Sequence, residues 1–103
     1  MKLVNLTTHS ITEITTGKVY PVNGNIKIST STYQVDVVNG SPIYKTKVRA
    51  IKGLPEPEKG VIYIVPALAL NAIPEWRTDV VAPGNVKRDE KGNILGCQGF
   101  RIR

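Results

Sequence analysis

Nearly one residue in three is β-branched. Valine (12), isoleucine (11) and threonine (9) fill 32 of 103 positions, against 6 leucines and 5 alanines. Two heavy atoms on Cβ restrict χ1 and suit a pleated surface better than a helix. Nine glycines and seven prolines punctuate these runs without forming a linker or a low-complexity tract. The bias predicts a mostly β fold, a β-rich α+β at most: a small antiparallel sheet or partly open barrel. At this length it is a single domain over residues 1–103.

The runs place the strands at residues 2–6, 11–16, 18–22 and 25–30, with Asn23-Gly24 as a type I′ turn pair. The clearest hairpin pairs residues 33–38 with 43–51 around Asn39-Gly40-Ser41-Pro42. Alternation puts Tyr33, Val35 and Val37 on one face of its first arm. In its second arm Tyr44, Thr46, Val48 and Ala50 share one face and Lys45, Lys47 and Arg49 the other. Residues 61–65 are continuously apolar, as a doubly covered central strand requires. Ala67–Ile73, between Pro66 and Pro74, is the one helix-forming segment, a short helix near 66–74 that must pack on the sheet. Further strands fall at 79–82, 85–88 and 93–97, with a bulge expected between Gly96 and Gly99.

Several classes are excluded by counting. One cysteine, Cys97, precludes an internal disulfide, and one histidine, His9, precludes a two-histidine metal motif, so no metal or cofactor is expected. No run is long and apolar enough for a membrane span, and the N-terminus lacks a signal-peptide apolar core, which predicts a cytoplasmic protein. The net charge is +6 and it is uneven. Residues 1–52 carry Lys2, Lys18, Lys27, Lys45, Lys47, Arg49 and Lys52 against only Glu13 and Asp36. A basic half serves solubility, or attracts nucleic acid, nucleotide phosphates or an acidic protein surface.

The chemistry-bearing residues are few. His9 lies in a polar cluster with Asn5 and Thr7, suited either to satisfying a turn or to contacting a phosphate. Trp76-Arg77 with Asp79 reads two ways: a base-stacking and phosphate-clamping pair, or a core cap beside an ion pair. Lys45, Lys47 and Arg49 repel one another unless solvated or neutralised by an anion. Tyr44 falls on the other face of that strand, which leaves the strip without its own stacking platform. A small hydrolase using His9, perhaps with Cys97, is a third reading, but no carboxylate is placed to orient the base. There is no glycine-rich phosphate loop.

Asn5-Leu6-Thr7-Thr8-His9 at one end, and Arg88-Asp89-Glu90-Lys91-Gly92 leading to Gly96-Cys97-Gln98-Gly99 at the other, resemble a small bacteriophage and bacterial family. Its members open on Asn-Leu-Thr-Pro-His and end on an Arg-Asp, Gly, Gly-Cys-x-Gly pattern. Thr8 departs from that pattern, where the family has proline. The resemblance implies a phage setting in a host bacterial cytoplasm more than a chemistry; that setting, taken with the basic charge, suggests a non-enzymatic counter-defence protein that sequesters a phosphorylated, nucleotide-derived signal as a homo-oligomer. Asn5, Thr7, His9, Lys45, Lys47, Arg49, Arg77 and Arg88 are then its ligand-binding candidates. The alternative is a nucleic-acid or host-protein interaction module built on the basic strand.

Overall fold

A computed structural model describes all 103 residues. The strands are β1 (Lys2–Asn5), β2 (Ile11–Glu13), β3 (Lys18–Tyr20), β4 (Lys27–Val38), β5 (Ser41–Lys52), β6 (Val61–Ile64), β7 (Val80–Arg88) and β8 (Ile94–Arg101). One helical turn, α1 (Ala67–Leu70), lies between β6 and β7. The composition therefore delivers the β-rich fold it dictates: 54% of the chain is strand and 4% helix.

Six strands form one sheet in the order β1-β6-β7-β8-β2-β3. β1, β6 and β7 run parallel, and β7 with β8 and β2 with β3 antiparallel. A bridge from Asn5 to Val22 brings the β3 end back to β1, so the sheet is a nearly closed barrel. The other two strands, β4 and β5, pair only with each other and form a long two-stranded ribbon.

β6 sits between β1 and β7 and is covered on both faces, as its unbroken apolar run requires. One face carries Leu6, Tyr63, Val65, Val80 and Ala82 into the main core. Ala69 and Leu70 of α1, then Ile73 and Ile26, close that core from outside the sheet. The opposite face lines up Asn5, Ile64 and Val81 in register across the three parallel strands. Ile28, Ile51 and Leu54 pack on the main core and fasten the ribbon root to the barrel.

Several sequence expectations change. The strands expected at 25–30 and 33–38 fall in one strand, β4, and the β7–β8 register shifts at Lys87 and Arg88 and not between Gly96 and Gly99. Asn23-Gly24 does not join a hairpin, because β3 pairs with β2 and β4 pairs with β5. The helix stops at Leu70, with Asn71 as its C-cap, rather than running to Ile73. The strands expected at 79–82 and 85–88 are one strand, since Pro83 and Gly84 continue β7 opposite β8. A Cβ on Gly84 would stand 2.9 Å from the carbonyl oxygens of Gln98 and Gly99, so only glycine lets the two strands approach there. Finally, the parallel pairing of β1, β6 and β7 leaves no trace in local pattern, because it joins strands separated by long stretches of chain.

Candidate nucleic-acid interface

The ribbon turns on Asn39 and Gly40, with φ of 50° and 80°. Both are left-handed, as a two-residue type I′ turn demands, and Asn-Gly supplies them at least cost. Ser41 and Pro42 therefore belong to β5 and not to the turn.

Two register shifts decide which side chains share a face. One falls between Ser29 and Thr30, where Arg49 is the extra residue of β5; the other falls at Val35, between Gln34 and Asp36. An extra residue on one strand of a pair reverses its alternation relative to the partner. Following the register, Lys27 faces Lys52, Ser31 faces Lys47 and Tyr33 faces Lys45, all on one side. Thr30 with Val48, Thr32 with Thr46, Gln34 with Tyr44 and Val37 with Pro42 lie on the other. The 3.2 Å contact between the Thr32 and Thr46 hydroxyls fixes that second face directly.

The sequence grouping is thereby corrected. Simple alternation ignores the bulges, which take Ala50 off the Tyr44 face and part Tyr33 from Val37. The basic face does hold an aromatic ring: Tyr33 stands cross-strand from Lys45 and beside Lys47. Tyr33 is exposed, and its ring can stack on a base flanked by two ammonium groups. Lys27, Lys45, Lys47, Arg49 and Lys52 oppose one carboxylate, Asp36, so the ribbon alone carries +4 of the net +6. None of these cations is in an ion pair, and Lys27 directly opposes Lys52. Like charges so placed destabilise a bare ribbon and are relieved by a bound polyanion.

The remaining candidates lie elsewhere and mostly serve the fold. The Asn5 amide is buried and uses its full hydrogen-bonding capacity. Its Nδ2 donates to the carbonyls of His9 and Tyr20, each at 2.9 Å. Its Oδ1 accepts from the Thr7 N–H (2.9 Å) and the Thr7 hydroxyl (2.6 Å). Asn5 and Thr7 thus fix the loop after β1 and tie it to β3, and only the His9 imidazole is left exposed. The Arg77 guanidinium donates to both Asp79 oxygens (2.9 and 3.0 Å) and to the Pro55 carbonyl (2.8 Å). That hydrogen bond holds the Asp79 carboxyl below its usual range. Trp76 does not cap the core: it is exposed, its ring centroid 5.6 Å from the Arg77 guanidinium carbon. Arg88 donates to the Gly92 carbonyl in the β7–β8 hairpin.

These eight residues do not converge within one chain. Arg77 precedes β7 and Arg88 ends it, so about 27 Å of extended strand separates Val80 from Arg88. Lys45, Lys47 and Arg49 are on the ribbon. Cys97 is buried, its thiol pushed up by desolvation and by the Glu13 charge, and no hydrogen bond joins it to His9. No three His, Cys, Asp or Glu side chains come together as a metal site, and no helix is long and apolar enough to cross a membrane.

Glu13 is the residue that sequence reasoning missed. Its buried carboxylate accepts from the backbone N–H groups of Thr15, Thr16 and Gly99 and from the Thr16 hydroxyl, at 2.8–3.0 Å. These bonds, led by the one from Gly99, lower its pKa to about 2. It staples β2 to β8. Glu13-Ile14-Thr15-Thr16, with threonines two and three residues after the glutamate, is a local turn signal, but nothing local marks a partner 86 residues away.

Set against known proteins, the chain matches no family model. It matches no curated protein and no solved structure either.

Proposed function

We propose that this protein is a non-enzymatic binding protein whose basic ribbon face engages nucleic acid through its phosphates. One observation carries the reading: four lysines and Tyr33, against the single carboxylate of Asp36, share one face of a ribbon that pairs with no other strand. Twelve-residue strands span about 40 Å, and a two-stranded ribbon fits a B-DNA major groove about 12 Å wide. Lysines supply backbone affinity, and the tyrosine gives a base-stacking surface. In this reading the protein works in the bacterial cytoplasm, the setting implied by its phage-like terminal motifs. Sequestration of a free nucleotide draws on the same phosphate chemistry, and within one chain it lacks a pocket where the candidate cations meet.

The test is fluorescence anisotropy with labelled duplex DNA, single-stranded DNA and a dinucleotide over a salt series. The four lysines of that face on duplex phosphates give a log–log salt slope of up to about −3.6, and Lys45→Gln with Lys47→Gln reduces it by about 1.8. Salt-insensitive binding, or none to either polymer at low salt, refutes the proposal. A dinucleotide bound far more tightly than the polymers returns the sequestration reading in its place.

A further inference from the structure

The ribbon has a second face, and no residue paired on it carries a charge, the bulged Arg49 apart. Ile28, Thr30, Thr32, Gln34 and Val37 of β4 share it with Pro42, Tyr44, Thr46, Val48 and Ile51 of β5. Its root packs on the main core through Ile28 and Ile51. Beyond Val48 it is bare, with Tyr44 58% and Val37 54% exposed. A lone two-stranded ribbon is marginal in water, so twelve-residue strands that are almost wholly exposed need a covering surface.

The surface of the whole chain gives the size of what is missing. Accessible area is 7255 Å², whereas a compact monomer of 11.3 kDa exposes about 5,700 Å². The radius of gyration is 15.9 Å, against about 13 Å for a compact chain of this length. The excess, roughly 1,500 Å² per chain, is what one protomer buries in an obligate homodimer.

We infer that a second copy of this chain packs on the uncharged face of the ribbon, face to face about a two-fold axis. Charge selects this occupant. A +6 chain repels its own copy on every basic surface, and the one large exposed ribbon face whose paired residues carry no charge is the one it can share. An isologous contact there buries Tyr44 against its symmetry mate's Thr and Val side chains. Both basic faces are then turned outward. The inference stands on area and charge and does not depend on what the basic face binds.

Sedimentation equilibrium of the full chain, from about 1 to 100 μM in roughly 0.5 M salt to strip polyanions, reads the outcome. The wild type is expected at twice 11.3 kDa or an even multiple of it. Thr46→Lys, which puts a charge at the centre of the face, is expected to give monomer with an unchanged far-ultraviolet circular dichroism spectrum. The Lys45→Gln, Lys47→Gln variant is expected to assemble like the wild type. As a second readout, amide exchange of residues 30–48 slows as concentration rises. A wild-type monomer at about 100 μM overturns the inference, and so does Thr46→Lys assembling as the wild type does. Assembly lost in the lysine variant but kept in Thr46→Lys overturns it as well, by placing the interface on the basic face.

Discussion

Arg77→Ala separates a structural arginine from a ligand-binding one. As a ligand contact, Arg77 would be removable with little effect on melting. In the structure its side chain is 7% exposed, and it donates three hydrogen bonds, two to a carboxylate that is itself 17% exposed. Truncation leaves the Asp79 charge and the Pro55 carbonyl without partners. Removing one member of a buried pair costs about 3–5 kcal/mol, and hydrogen bonds to charged groups about 1.5–3. Both groups keep some contact with water, so we expect about 3 kcal/mol. At roughly 4–8 °C per kcal/mol for a chain of this size, the melting temperature falls by roughly 12–24 °C. Calorimetry of wild type, Arg77→Ala, Asp79→Ala and the double variant closes the cycle. The double variant is expected to be less destabilised than the two singles added together, by at least about 1 kcal/mol. An Arg77→Ala protein melting within about 2 °C of wild type refutes the structural assignment.

Two more perturbations test the barrel seam. Glu13 has a depressed folded pKa of about 2, so its stabilisation is present above the ordinary carboxylate pKa near 4.5 and is lost as pH falls toward 2. Acid unfolding followed by tyrosine and tryptophan fluorescence is therefore expected to be shallower between those values in Glu13→Gln, and curves of equal slope would remove Glu13 from the seam. Gly96→Ala puts a Cβ 2.5 Å from the Thr12 carbonyl oxygen, which forces β2 away from β8. Urea denaturation is expected to show a loss of about 2 kcal/mol or more, and a midpoint equal to that of wild type would contradict the close approach.

Much of this fold is legible in the sequence. β-Branched content set the fold class, Asn39-Gly40 marked the ribbon turn, and the apolar run at 61–65 marked the central strand. Each is a local property, written within a few residues. The ribbon faces were misread because a bulge leaves no signature in alternation: Arg49 and Val35 look like any other strand residue until the register of the partner is known. The sequence offers Arg77 both as a phosphate clamp and as half of an ion pair with Asp79, and Asn5 as a ligand candidate, without deciding their roles. Their partners include Pro55 and Tyr20, which sequence spacing does not bring near them. Polar residues that join distant segments carry the same residue types as a binding site, and only the fold tells them apart.

The Glu13–Gly99 bond has a consequence for how the protein comes to be folded. During vectorial synthesis the ribosome releases β2 long before β8, its neighbour in the sheet. Until β8 has left the exit tunnel, Glu13 lacks the Gly99 N–H and the barrel lacks the strand that joins β7 to β2. Closing a loop of 86 residues costs about 4 kcal/mol in chain entropy, whereas the ribbon closes over a two-residue turn. The contacts of the ribbon are thus local, whereas the barrel is completed only once β8 has emerged. The β8–β2 seam is therefore the last part of the sheet that any newly made chain can close.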